Sequence, residues 1–315
     1  MRAVTFWGAG TLREGALIRD ASGVRVSPEP APAGAARVDG IVTGLFTDHH
    51  VHLQLVDPTP LAASRLGRVI DLGGNPEVLR GRRHELGEHV EIEYAGPFLT
   101  AVGGYPSDRD WAPDGAVHQV RDAAGAAALV ASLAAAGVGC VKIVCNSDAG
   151  PVLGDDLFRA VVTAAAEHGL PTVAHAEGAG QAQRAARLGA ARLAHSPFTE
   201  RLSDDEIDEQ AASASWISTM AIHDGEARAI VVDNVRRFAA RGGELVYGSD
   251  MGNGPTPVDL RDSELSALRE AGVDGIDLLR ALAPLDPFRD GAALLLLPDG
   301  DPARARRLTP EDLEA

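Results

Sequence analysis

The chain has 315 residues, of which 45% are hydrophobic, 23% charged and only 4% aromatic, so it can build a sizeable core mainly from Ala, Val, Leu and Ile. A formal net charge of −16 argues against a nucleic-acid binder, which would usually show a basic face. The opening MRAVTFWGAGTLREG lacks the apolar run of a secretory signal, and no window approaches ~18 uninterrupted apolar residues, so no membrane partner is expected and the cytoplasm is the expected location.

In chain order, residues 1–40 read as one or two short strands followed by a Pro/Ala/Gly-rich linker, SPEPAPAGAAR. A strand-then-helix rhythm then runs from about 40 to 285. IVTGLFTDHH (41–50) and RVIDLGG (68–74) are short apolar runs, and EIEYAGPFLTAVGG (91–104) is a looser third. An Ala-rich helix pattern at 119–136 leads through Gly137 into VGCVKIVCN (138–146). The next helix, 155–168, meets a stop signal at Gly169 and Pro171. PTVAHAEG (171–178), a helix at 180–189 and ARLAHS (191–196) follow, and Ser203 with Glu206 forms a capping-box pattern. WISTMAIH (216–223), a helix at 226–241, ELVYGSD (244–250) and helices at 262–271 and 275–283 complete the series. Residues 291–298 are a lone apolar strand.

Eight strand candidates alternating with helices predict the α/β class with a parallel sheet, and a (β/α)8 TIM barrel suits their spacing better than an open sheet. The expected organisation is a barrel over 41–290, a small flanking β-sheet from 1–40 with 291–300, and a polar C-terminal tail at 301–315. Cys140 and Cys145 lie in one predicted strand, five residues apart and so on opposite faces, and are expected not to pair.

The chemistry-bearing residues fall at strand ends. His50 and His52 end the first strand and point the same way, Lys142 lies in the fourth, and His175, His195 and Asp250 end the fifth, sixth and eighth. A barrel gathers those ends at one mouth. Imidazoles and a carboxylate suit a divalent ion such as Zn2+, with Mn2+ and Fe2+ as alternatives. An ammonium cannot ligate a cation, so Lys142 is either converted by CO2 to a carbamate or paired with an acid near the mouth; its chemistry alone leaves both open. Tyr105, Asn146 and His223 end strands three, four and seven and are candidate substrate contacts. His49 faces away from His50 and reads as structural. Asp48 either orients a ligand histidine or caps the strand. His84, His89, His118 and His168 stand outside the cluster.

Several local sequences together resemble the amidohydrolase superfamily, in particular its branch of Xaa-Pro dipeptidase-like enzymes and imidazolonepropionase relatives. DHHVHL (48–53) resembles D-x-H-x-H, GPFLTAVGGY (96–105) the third-strand pattern, GVGCVKIV (137–144) the metal-lysine strand, VAHAEG and ARLAHS the fifth and sixth strands, and YGSDMG (247–252) G-T-D-x-G. The resemblance implies two divalent metals, with His50, His52 and Asp250 on one, His175 and His195 on the other, and an N6-carboxylated Lys142 bridging them. It implies hydrolysis by a metal-bridging hydroxide, with Asp250 shuttling the proton. Tyr105 stands where the family often has His, and Cys145-Asn146-Ser147 replaces a glycine-rich stretch, so the substrate is left open.

The expected function is therefore hydrolysis of an amide C–N bond in a small molecule: a dipeptide, an N-acyl amino acid or a cyclic amide. Deamination of a heterocycle at a single metal, using Glu177 after His175, is the alternative; lactone or phosphotriester hydrolysis would use the same centre. A noncatalytic scaffold would show eroded ligands, yet all six positions are filled. A homo-oligomer is compatible with the sequence.

Overall fold

The computed structural model describes residues 1–20, 23–289 and 291–313. Strands β1 (Arg2–Gly8), β2 (Thr11–Asp20), β3 (Gly23–Ser27) and β4 (Arg37–Gly44) open the chain. Then follow β5 (Phe46–Val51), β6 (Leu66–Asp71), α1 (Pro76–Leu86), β7 (Glu91–Tyr94), β8 (Phe98–Thr100), β9 (Val117–Gln119) and α2 (Ala123–Ala135). The middle runs β10 (Val141–Asn146), α3 (Asp155–Glu167), β11 (Thr172–Glu177), α4 (Gln181–Arg187), β12 (Arg192–Leu193), α5 (Asp204–Ser213) and β13 (Ser215–Ile217). The last elements are α6 (Gly225–Ala240), β14 (Leu245–Val246), α7 (Asp262–Glu270), α8 (Gly275–Ala281), β15 (Leu294–Leu297) and β16 (Arg306–Arg307).

This is a mixed α/β architecture with two curled parallel sheets. One runs β14-β13-β12-β11-β10-β8-β9, the other β5-β6-β7. Hydrogen bonds link them on both sides. Gly139 N donates to Tyr94 O (3.0 Å), joining β7 to the approach to β10. On the other side His49 N donates to Tyr247 O (3.0 Å) and His52 N to Met251 O (2.7 Å), with a parallel bridge between Val51 and Met251. The strands are near-continuous apolar runs because both faces are covered: Val141, Ile143 and Cys145 face the large core under the helices, whereas Cys140 packs with Ile70, Val173, Ile217 and Val246 on the other face. Both cysteines are free, as their offset predicts.

A separate six-stranded sheet, β16-β15-β4-β1-β2-β3, has its own core of Val4, Phe6, Leu17, Val42, Leu294 and Leu296. It draws on the segment 306–307, which sequence alone reads as part of a polar tail; residues 314–315 of that tail lie outside the described residues. No helix among the described residues is long and apolar enough to cross a membrane.

Local structure departs from the sequence pattern in three places. The third run is split, because Gly96 takes a left-handed φ of 77° and Pro97 has no N–H, so β7 and β8 belong to different sheets. The run 216–223 keeps strand form only to Ile217 and then turns through Thr219 (φ 40°) into a short 3-10 turn at Met220–Ile222. Helix α1, absent from the pattern reading, starts from an Asn75 side chain that accepts the Glu77 N–H (3.0 Å), with Pro76 at its first position. The capping box at Ser203 and Glu206 forms as predicted.

Candidate metal centre

His50 and His52 leave β5 on one face. Their Nε2 atoms are 3.3 Å apart, and both approach Asp250 Oδ1, at 3.2 and 3.4 Å. His195, just beyond β12, brings its ring to 4.7 Å from His50 between centroids, and His175 on β11 brings its ring to 4.8 Å from His195. Donor atoms of His50, His195 and Asp250 all lie within 4.8 Å of one another, and all three residues are buried. Lys142 on β10 joins them in lining one cavity of about 480 Å³, together with His52, His175 and Tyr105. Six side chains separated by up to two hundred positions thus meet at one end of the strands.

What fixes each ring is its other nitrogen. His50 Nδ1 donates to Ala194 O (2.8 Å), and His52 Nδ1 donates to Gly73 O (3.2 Å). His195 Nδ1 shares a hydrogen bond with the Thr219 hydroxyl (2.9 Å). A proton held on Nδ1 leaves the Nε2 lone pair free for a cation. Two such lone pairs and a carboxylate oxygen within about 3.4 Å repel one another unless a proton or a metal sits among them. The donor set therefore fits a divalent ion.

The electrostatics agree. Burial holds His50 and His195 well below the usual imidazole range, against the pull of Asp250. Burial would raise Asp250, but the histidines around it outweigh that and hold it well below the carboxylate range. His52 is raised, because its hydrogen bond and charge interaction with Asp250 overcome its burial. Burial pushes Lys142 down to about 8, and among the described residues no carboxylate forms an ion pair with it.

The backbone around the cluster is held by buried carboxylates. Asp48 Oδ1 accepts from His50 N and Ser249 N (both 3.0 Å), and Oδ2 accepts from Ser249 Oγ (2.5 Å). It therefore ties β5 to the segment carrying Asp250 and touches no imidazole; burial pushes it up to about 7. Asp250 itself takes a left-handed φ of 54°, and its Oδ2 accepts from Asn253 Nδ2 (2.8 Å). Gly248 is required nearby, since a Cβ there would meet Ile217 Cγ2 at 2.3 Å and His50 Cβ at 3.0 Å.

The three weaker candidates divide. Tyr105 lines the cavity, its ring 5.8 Å from His175. Asn146 does not line it: its Nδ2 donates to Glu177 Oε2 (2.7 Å), the same oxygen that accepts from His175 Nε2 (3.0 Å). His223 follows the 3-10 turn and stacks on Phe198 (4.0 Å, 28°), within reach of the charges of Asp250 and Glu177, its buried Nε2 without a hydrogen-bond partner among the described residues. His49 donates through Nδ1 to Tyr247 O (3.1 Å) on the opposite face, a structural role. Sequence reasoning missed Asn253, Phe98 and Trp111, which also line the cavity. Phe98 lies within GPFLTAVGGY, whose pattern marks the strand and not this side chain, whereas Trp111 and Asn253 lie in loops outside any quoted motif.

No protein-family model matches the sequence, and no curated protein matches it. Solved structures do match in shape over nearly the whole chain. A Xaa-Pro dipeptidase with methionine bound in its active site is similar with a TM-score of 0.73 at 14% identity, over 95% of this chain and 93% of that one. Ochratoxinase from A. niger gives 0.71 at 13% identity, over 98% and 94%. Molinate hydrolase gives 0.70 at 12% identity, over 98% and 92%. The chain therefore shares the fold of these structures, and at the strand ends of that fold lies a buried His/Asp group able to hold a metal ion.

Proposed function

We propose that this chain is a metal-dependent hydrolase of amide C–N bonds in small molecules, built on a closed (β/α)8 barrel over 41–290 and flanked by 1–40 with 291–300. The observation that carries the reading is the trio His50, His195 and Asp250, whose donor atoms lie within 4.8 Å in a buried setting. On this reading His50, His52 and Asp250 would hold one ion, His175 and His195 would hold a second, and Lys142, as its carbamate, would serve both. A buried amine brought down to about 8 is neutral often enough near pH 7 to react with CO2, which supports the carbamate. The divalent ions, Zn2+ first and Mn2+ or Fe2+ as alternatives, would supply an activated water and polarise the scissile carbonyl. Asp250 takes the proton from the attacking water and returns it to the leaving amine, while Asn253 holds its second oxygen. The similar dipeptidase and hydrolase structures support the class of reaction. The buried Nε2 of His223 stands ready to donate to a substrate oxygen.

One observation favours a second reading. Glu177 holds His175 Nε2 at 3.0 Å, which competes with a ligand role for that nitrogen and suits a single-metal deaminase with Glu177 as its acid and base. Elemental analysis of the metal-reconstituted protein separates the two: two ions per chain for the amide hydrolase, one for the deaminase. An accompanying screen over dipeptides, N-acyl amino acids, cyclic imides and lactones reads the activity. A protein that binds no divalent ion after reconstitution would sink both readings.

A further inference from the structure

The cavity has a wall as well as a floor. Phe98 and Trp111 meet edge to face (6.1 Å, 90°), and Tyr105 lies 6.1 Å from Trp111. This wall runs directly into the ligand cluster, with Phe98 5.6 Å from the His52 ring and Tyr105 5.8 Å from the His175 ring. Its position is built in: Phe98 packs so closely on Gly73 that a Cβ there would lie 2.1 Å from Phe98 Cζ. Trp111 is 42% exposed in a chain with only 4% aromatic residues, so its place at the mouth is not a packing requirement.

The charges around the cavity are equally one-sided. Among the described residues that line it, Lys142 is the sole Lys or Arg, and it belongs to the cluster. Arg109 stands over the Tyr105 ring (5.5 Å), does not line the cavity, and has Asp108 Oδ1 3.5 Å from its Nε. Arg261 spends both terminal nitrogens on Ser249 O and Ala221 O (both 3.0 Å). Apart from Lys142, a substrate carboxylate would therefore meet no guanidinium or ammonium among the described residues lining the cavity, and it would approach a protein of net charge −16.

We infer that the substrate is an uncharged amide bearing an aromatic ring beside the scissile bond, held by Phe98, Tyr105 and Trp111, and not a dipeptide or N-acyl amino acid with a free carboxylate. This rests on the hydrolase reading and narrows it. Water adds across the C–N bond: the carbonyl carbon gains the hydroxyl, the amine leaves with the proton, and no redox partner is needed.

Four probes isolate ring and charge: N-methylbenzamide, N-benzoylglycine, N-methylacetamide and N-acetylglycine. With Zn2+-reconstituted protein, kcat/KM for N-methylbenzamide should exceed that for N-benzoylglycine by about tenfold or more. The ratio of N-methylbenzamide to N-methylacetamide should be about tenfold or more and should fall several-fold in Trp111→Ala. Binding gives a second readout. Trp7 and Trp216 are buried, so the fluorescence lost in Trp111→Ala identifies Trp111 emission, which N-methylbenzamide should quench at lower concentration than N-benzoylglycine. Faster turnover or tighter binding of N-benzoylglycine, abolished by Arg109→Ala, would overturn the inference while leaving the hydrolase reading intact. So would a ring preference indifferent to Trp111→Ala. If none of the four is hydrolysed, the hydrolase reading loses support, and the fluorescence titration alone decides whether the wall selects neutral rings.

Discussion

Glu264 offers a test of how the fold holds the centre from a distance. It is fully buried on α7, and its two oxygens accept from Met220 N (2.9 Å) and Ala221 N (2.6 Å). Those amides belong to the turn that begins at Thr219, whose hydroxyl anchors His195 Nδ1. Glu264→Ala strands one buried donor, Met220 N, and one part-buried donor, Ala221 N; at about 1–3 kcal/mol for the first and less for the second, the loss in stability should be about 1–5 kcal/mol. Glu264→Gln keeps one acceptor oxygen and should cost about 1–3 kcal/mol. Their pH behaviour carries a sign. Burial raises the Glu264 carboxyl above its ordinary 4.5, against the hydrogen bonds from Ser218, Met220 and Ala221. A raised group contributes stability that is complete below the ordinary value and is lost as pH climbs through the raised one. The wild type should therefore lose more stability over that window than Glu264→Gln, which lacks this titration but shares those of Asp48 and Asp71, so the gap between them narrows as pH rises. Urea unfolding followed by circular dichroism at about pH 5 and about pH 8 measures this. Metal affinity, read by competition with a chromophoric chelator, should fall about 10–100-fold in Glu264→Ala, because His195 loses its support. A Glu264→Ala protein within ~0.5 kcal/mol of wild type, with unchanged metal affinity, would refute the reasoning.

Three further outcomes follow from the centre itself. Lys142→Met should abolish turnover and reduce the metal content to one ion or fewer, since no carbamate can form; elemental analysis and the amide screen check both parts. Asp250→Asn should lower kcat by about 10²–10⁴ if the carboxylate carries the proton, with the circular dichroism spectrum preserved. Zn2+ at about 1,000 times its Kd should stabilise the protein against unfolding by about 4 kcal/mol, and a chelator should remove that gain. A melting temperature indifferent to both would mean that the histidines serve packing alone.

How much of this was readable in advance depends on whether the information sits in side chains or in backbone. The apolar runs ending in DHHVH, VAHAE, ARLAH and YGSD announce parallel strands that bring polar residues to one end, and the structure gathers those residues there. Helix α1 was also readable, since Asn75-Pro76-Glu77 is a helix start, but its weak apolar periodicity hid it. Other parts were not readable. The acceptors at Ala194 O and Gly73 O are main-chain carbonyls, which any residue would supply. The 3-10 turn after β13 depends on Glu264, some forty residues later, so a pattern that continues to His223 cannot show that the strand has already ended. Asn146 is drawn to Glu177 by register between neighbouring strands, which also lies outside local pattern.

The same geometry explains why the ligands depend on one another. His50 is oriented by the carbonyl of Ala194, the residue immediately before His195, so β5 is held by the strand that bears another ligand. His195 is in turn oriented by Thr219 beyond β13, and Thr219 is set by Glu264 from α7. Asp250 is placed from the other side, through Ser249 on the Asp48 carboxylate that also grips the His50 backbone. Each donor is thus positioned by a neighbouring element and not only by its own strand. An arrangement of this kind tolerates substitutions on solvent-facing helix positions, which do not touch it, but a slip in any strand that lines it would misplace two donors together. That dependence accounts for the fully buried, hydrogen-bonded carboxylates Asp48, Asp71 and Glu264 in the surrounding backbone: charges so costly to bury persist where they hold strand ends and turns in register.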